Sequence, residues 1–327
     1  MAPNSDILVI DAGDLIRDRS RAAYERVAAQ ILDACTSDGF FYLSGHGVDR
    51  TLIAEAFEAN RRFHARPLEE KLAIKQNKWH RGYQALATSK LVSQARFEAA
   101  QRPNQLESFF MRHEVAADDP TFERQALQGP NRWPDDPWFV DVVRRYNAAT
   151  HDLGMALLPA FSLAVGEAPE FFNARFSPAA TALRLIHYPP APMDRPEDLY
   201  GISPHTDYGF LTILAQDEVG GLQIRHADGD WLDAPYRPDC FILNIGDILA
   251  RWTNGRFNST PHRVVNRSSE RDRYSIGMFF DPNLDTVVAP LPRFADASQQ
   301  PPIRYGDYFA MRLDANYPDR VGVTATG

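Results

Sequence analysis

A histidine and an aspartate separated by one residue, His205 and Asp207, stand where a proline-rich stretch gives way to a β-type run. Side chains two apart on a strand point to one face, so this pair can offer an imidazole and a carboxylate to the same metal ion. Three protein ligands on one face of an octahedron leave three positions open for a co-substrate and dioxygen, which is the donor set of a non-haem iron(II) centre. His262, in TPHRVV, lies 55 residues beyond Asp207 at the start of a later run and is the third ligand that this pattern needs. An HxD pair taken alone arises often by chance. The second histidine and the residues after it single this one out.

Arg273-Tyr274-Ser275 begins 11 residues after His262. On a strand, Arg273 and Ser275 face one way and can hold a carboxylate through a bidentate, charge-assisted pair and one further hydrogen bond. That suits the distal carboxylate of 2-oxoglutarate. Tyr188, closing LRLIHY, can add a phenolic donor, although a lone tyrosine there equally suits the core. Phe279 falls on the same face as Arg273 and Ser275, either as a cavity wall or as core.

These residues need a frame. From Thr181 onward TALRLIHY, GFLTILAQD, GGLQIRH, GDWLDAPY, CFILNIGD, HRVVN, RYSIGMFF and DTVVAP are short β-type runs broken by Gly, Asp and Pro. That texture predicts an antiparallel barrel or jelly-roll sandwich closing around a central mouth. Before it, residues 6–10 read as a strand. SRAAYERVAAQILDACTSDG reads as a helix burying Ala23, Val27, Ile31 and Ala34 and stopping at Gly39. FFYLSGHG reads as strand and turn, and TLIAEAFEANRRFHA as a second helix closed by Pro67. Residues 75–105 and 116–137 read as loops or lids, and Trp138 to Val165 as one long helix with Pro159 as a late kink.

The chain has 327 residues, 44% hydrophobic and 24% charged, the balance of an ordinary globular protein. A net charge of −8 with no basic run argues against nucleic-acid or anionic-membrane partners. Cys35 and Cys240 are too few for a disulfide framework and fit a reducing cytosol. The amino-terminal residues lack a secretory pattern, and no stretch approaches the ~18 apolar residues of a membrane span. A soluble, cytoplasmic protein is expected.

SPHTDYGFLTILAQDEVGGLQI, NIGDILARWTNGRFNSTPHRVVN and RYSIGMFFDPN, preceded by DGFFYLSGHGVD, FHARPLEEKLAI and RGYQ, resemble the isopenicillin N synthase-like iron(II)/2-oxoglutarate oxygenases over nearly the whole chain. The resemblance implies a mixed β fold with helices: a double-stranded β-helix (jelly-roll) core, an N-terminal helical cap and one long backing helix. It divides the chain into a cap at 1–105 and a core at 106–327 within one integrated unit. It makes His205, Asp207 and His262 the iron ligands, and Arg273, Ser275 and Tyr188 the binders of the co-substrate carboxylate. GHG at 45–47 and TNG at 253–255 read as turns. Members often carry Asn two residues before the tyrosine, where this chain has Ile186.

The activity implied is oxidation of a small molecule by iron(II), 2-oxoglutarate and dioxygen, as hydroxylation, desaturation or ring closure, with release of succinate and CO2 from a monomer. A same-fold iron oxidase that needs no 2-oxoglutarate shares these motifs. A zinc hydrolase would also use a His/Asp/His site, and a non-catalytic binding module is the remaining class. Arg81, Tyr83, Phe110 and Arg112 come from the region that closes over substrate in the family. Two arginines there suit an acidic substrate, while each of the four residues equally suits packing or surface pairing.

Overall fold

The structure is a computed structural model describing residues 7–89, 102–122, 127–226, 228–296 and 300–316. Parts of the expected loops, at 90–101 and 123–126, and the first six residues of the amino-terminal segment lie outside the described residues. The first part of the chain forms β1 (Val9–Asp11), α1 (Gly13–Asp18), α2 (Arg21–Thr36), β2 (Phe40–Ser44), α3 (Arg50–His64) and α4 (Leu68–Ala73). Next come β3 (Gly82–Gln84), β4 (Glu107–Arg112), α5 (Pro137–Ala164), β5 (Ala180–Tyr188), β6 (Ile202–His205), β7 (Leu211–Gln216) and β8 (Leu222–Arg225). The last are β9 (Trp231–Asp233), β10 (Phe241–Ile245), α6 (Asp247–Trp252), β11 (His262–Val264), β12 (Arg273–Asp281), β13 (Val287–Val288), β14 (Ile303–Arg304) and α7 (Tyr305–Asn316).

The expected helices form where the periodicity put them. Ser20 caps α2 by accepting from Ala23 N at 3.3 Å, and Ala23, Val27, Ile31 and Ala34 are buried. Gly39 ends that region with φ +67°, and a Cβ there would lie 2.0 Å from Asn258 O, so the position requires glycine. Asp136 caps α5 through Phe139 N at 3.0 Å, and the helix continues through Pro159 to Ala164.

An eight-stranded sheet, β1-β2-β10-β7-β12-β5-β4-β3, faces a four-stranded sheet, β6-β11-β8-β9, in a jelly-roll core. Between the sheets lies an inner cluster that includes Ile186, Tyr188, Ile202, Ile224, Ile242 and Val264. The outer face of the large sheet packs on the helices, so β12 alternates: Ile276, Met278 and Phe280 join the helix-side core while Arg273, Ser275, Gly277 and Phe279 face inward. A Cβ on Gly154 of α5 would come within 2.6 Å of the Phe280 ring, which shows how closely that helix backs the sheet.

All eight strands expected after Thr181 are present, with β13 pairing to β14 outside the two large sheets. Residues 75–105 are not wholly loop, because β3 pairs with β4, and β4 with β5. All six residues of β4 are buried, helices and barrel covering one face each, so no polar alternation marked it as a strand.

Candidate active site

β6 ends on His205 and β11 begins on His262, and the antiparallel register sets the two directly opposite, with ring centroids 4.2 Å apart. Asp207 lies past the end of β6, so the expected strand-borne HxD pair is corrected: the linking loop aims the aspartate. That loop is clamped by Asp247 N donating to Asp207 O at 2.8 Å, Gly246 N to Phe210 O at 3.1 Å and Ile248 N to Gly209 O at 3.1 Å. A Cβ on Gly246 would lie 2.3 Å from Gly209 O, so glycine permits this close approach.

One donor atom from each of His205, Asp207 and His262 lies within 4.8 Å of the others. Asp207 Oδ1 is 3.8 Å from His205 Nε2 and 3.7 Å from His262 Nε2. Each imidazole turns Nδ1 to a backbone carbonyl, Ser203 O at 2.9 Å and Thr260 O at 3.2 Å, which leaves Nε2 as the free donor. Asp207 Oδ2 accepts from Thr212 Oγ1 at 2.5 Å and Asn244 Nδ2 at 2.7 Å. Burial, and then the neighbouring His262, lowers His205 below the ordinary histidine value. Burial would raise Asp207, but the two histidines and the hydrogen bonds from Asn244 and Thr212 hold it below the ordinary carboxylate value. A neutral imidazole beside an ionised carboxylate is the pairing of protonation states that binds a divalent cation.

Arg273, wholly buried, faces the same interior. Its Nε donates to Gly220 O, Nη1 to Ser275 Oγ at 3.3 Å and Nη2 to Gln216 Oε1 at 3.3 Å. Tyr188, directly opposite in the β5–β12 register, lies beneath the guanidinium with its ring centroid 4.5 Å from Cζ. Ile186 is opposite Ser275 and belongs to the inner apolar cluster. From the helix side Asn60 donates to both carbonyls of that pair, at 3.2 Å to Ile186 O and 3.1 Å to Ser275 O.

A cavity of about 90 Å³ opens on His205 and Asp207, with Phe110, Arg112 and Phe279 in its wall. Arg81 and Tyr83 lie elsewhere. Arg81 donates to Trp79 O at 3.1 Å, Leu127 O at 2.6 Å and His113 O at 2.8 Å. Tyr83 is on the helix side of β3, where its hydroxyl donates to Glu107.

The sequence reading missed Thr212, Asn244 and Gln216, which hold the candidate ligands and Arg273. The available signal was a polar residue at an inward position of an otherwise apolar strand. It also missed Phe309 and Leu313 of α7, which reach the cavity wall, although Tyr305, Phe309 and Leu313 recur at helical spacing.

Residues 179–282 match the 2OG-Fe(II) oxygenase superfamily, and residues 7–136 match the amino-terminal region of non-haem dioxygenases in morphine synthesis. The 2-oxoglutarate-Fe(II) type oxidoreductase hxnY of Emericella nidulans is 36% identical over 289 residues, covering 86% of this chain and 81% of that protein. A homoarginine-6-hydroxylase of Glycine max is 35% identical over 302 residues, covering 88% of each. The full-length Neurospora crassa protein crystallised with alpha-KG (2-oxoglutarate) and thymine superposes with a TM-score of 0.82 at 26% identity, covering 95% of this chain and 98% of that one.

Proposed function

The chain belongs to the 2OG-Fe(II) oxygenase superfamily, and on that premise we propose that His205, Asp207 and His262 hold its iron(II) while Arg273, Ser275 and Tyr188 hold the far carboxylate of its 2-oxoglutarate. The protein is an iron(II)- and 2-oxoglutarate-dependent dioxygenase of a small molecule. This membership sets aside the zinc hydrolase and the non-catalytic binder, and the 2-oxoglutarate dependence of the relatives speaks against the same-fold oxidase. The observation carrying the residue assignment is the convergence of two Nε2 atoms and Asp207 Oδ1 within 4.8 Å, at the edge of a cavity and in the same barrel interior as a buried guanidinium.

When bound, the metal and keto acid supply the oxidising chemistry: dioxygen is consumed, 2-oxoglutarate becomes succinate and CO2, and the small molecule is oxidised. The chain's own residues bind and orient. The carbonyls of Ser203 and Thr260 fix the tautomers that present Nε2. Thr212 and Asn244 occupy Asp207 Oδ2, so Oδ1 is the oxygen left for the metal. Arg273 offers a planar fork to a desolvated carboxylate, Ser275 adds a neutral donor, and the Tyr188 ring keeps the fork's plane. Ile186, Ile242 and their neighbours exclude water from that end of the barrel.

We read residues 1–105 as a cap and 106–327 as the core of one unit, which β2 pairing with β10 and β3 with β4 support. We further read the chain as a cytoplasmic monomer without a nucleic-acid partner. The net charge of −8 supports the absence of a nucleic-acid partner and the two free cysteines support the compartment, and among the described residues no helix is long and apolar enough to cross a membrane.

The test of the ligand assignment is the iron content of His205→Ala, Asp207→Ala and His262→Ala, read beside circular dichroism. Folded variants should retain about a tenth of the wild-type iron or less and show no turnover. A variant with wild-type iron and turnover would remove that residue from the site.

A further inference from the structure

Arg184 sits in the middle of β5, opposite Gly277 of β12 on one side and Phe110 of β4 on the other. It shares the inward alternation of Ile186 and Tyr188 and lines the cavity with His205 and Asp207. Its Cζ lies 4.7 Å from the Phe110 ring centroid, Nε donates to Ser108 Oγ at 3.1 Å, and Nη2 donates to Gln84 Oε1 at 2.9 Å. Ser108 Oγ in turn donates to Gln84 Oε1 at 3.1 Å. These partners orient the guanidinium and are all neutral, and among the described residues no carboxylate pairs with it.

Among the described residues, the carboxylates of the same cavity are committed elsewhere. Arg112, on the same wall, has the same sign and lies over Phe309 at 5.0 Å. Asp281 faces the cavity, but its Oδ1 accepts from Phe210 N at 2.7 Å and its carboxyl packs directly on Gly209, so it is committed to the loop that carries Asp207. Asp207 itself faces the two histidines. In front of Arg184 there is room, because a Cβ on Gly277 would meet no atom closer than 3.8 Å. Arg184 is half-buried with neutral partners only, so a ligand that brings an anionic group gains a charge-assisted pair there on binding.

Resting on the iron(II)/2-oxoglutarate reading above, we propose that Arg184 anchors the substrate and that the substrate is a compact organic acid. Its carboxylate pairs with Arg184, and its apolar body lies among Phe110, Phe279 and Phe309. At about 90 Å³ the cavity is small beside the ~300–1,000 Å³ pockets of drug-sized ligands, so a body of about one ring is expected. This moves the acid-binding role that the sequence suggested for Arg81 and Arg112 to Arg184, beside the metal ligands. A carboxylate at Arg184 has a second source, the metal-proximal end of 2-oxoglutarate, and the experiment separates the two.

Iron(II)-loaded protein saturated with 2-oxoglutarate is titrated anaerobically, by calorimetry, with matched acids and primary amides: benzoate and benzamide, phenylacetate and phenylacetamide, cyclohexanecarboxylate and its amide. Wild type should bind at least one acid about tenfold or more tightly than its amide, since a site built for a charged group rejects the analogue lacking it. Arg184→Gln should erase that difference and Arg184→Lys should keep part of it. The 2-oxoglutarate dissociation constant, measured without probe, should stay within about twofold of wild type in both variants. Acids that bind wild type no better than amides, including a panel in which nothing binds, would overturn the proposal. So would an Arg184→Gln variant that loses 2-oxoglutarate affinity and keeps the acid preference. Wild type that fails to bind 2-oxoglutarate at all would instead overturn the co-substrate reading beneath it.

Discussion

On the helix side of β4 and β5, Glu107 Oε2 accepts from Lys71 Nζ at 2.8 Å and from the Tyr83 hydroxyl, while Oε1 meets His187 Nδ1 at 2.8 Å. His187 Nε2 meets Asp272 Oδ1 at 2.6 Å, so both of its nitrogens face carboxylates. On the barrel side of the same strands, Arg184 is held by a hydroxyl, an amide oxygen and a ring. Arg273 is likewise held by neutral groups. One face closes its charges on each other, which ties the cap helices to the sheet. The other leaves cationic charge to be met by ligands. Arg81 limits the generalisation, because three carbonyls accept from its two terminal nitrogens, away from the metal ligands and without an acid. Neutral partners point to function only where the group also faces open space.

If the comparison holds, variants on the two faces fail differently. The largest effect belongs to the ligands: loss of His205, Asp207 or His262 should abolish turnover and iron retention with little change in melting temperature. Glu107→Gln should do the reverse, destabilising the fold by about 3–5 kcal/mol because it strands a buried ammonium, with 2-oxoglutarate affinity intact below the melt. Denaturant unfolding checks it, and a variant as stable as wild type would break the contrast. Asn244→Ala should weaken iron about 10- to 100-fold by freeing Asp207 Oδ2, as a metal titration would show. Ser275→Ala should cost 2-oxoglutarate binding only about 1 kcal/mol.

The smallest effect is in pH. Burial would lower His187, but its hydrogen bonds to Glu107 and Asp272 outweigh that and raise it above its ordinary 6.5. Its contribution to stability is therefore full below 6.5 and is lost as pH rises through the raised value. Burial would raise Glu107, but hydrogen bonds from His187, Lys71 and Tyr83 bring it down to about 2 from its ordinary 4.5. Its contribution is present above 4.5 and is lost as pH falls toward 2. Melting temperature should plateau between those ordinary values and fall on either side, and His187→Gln should flatten the alkaline fall.

The metal triad was legible from residue type and spacing: His205 and Asp207 stand two apart, and His262 opens a later β-type run. Arg184 was not, although LRLIHY read as a strand. A charged residue in an alternating strand ordinarily faces water, and only the packed layers show that both faces of β5 are covered. Tyr83 and Arg81 went astray for a related reason. Sequence brings Tyr83 no nearer to the helix side than to the barrel, and the carbonyl of Leu127 that Arg81 meets is 46 residues away. The aspartate's true support, the turn at Gly246 and Asp247, is likewise a contact between distant loops.

The most direct test of the account is an anaerobic titration of 2-oxoglutarate into iron(II)-loaded wild type, Arg273→Ala and Glu107→Gln, following the weak visible band of a metal-chelated keto acid. Wild type and Glu107→Gln should bind alike, and Arg273→Ala should bind weaker by about 2–5 kcal/mol, because it removes the charged partner of a desolvated carboxylate. Wild-type affinity in Arg273→Ala, or an equal loss in Glu107→Gln, would contradict the assignment of one face to the ligand and the other to the fold.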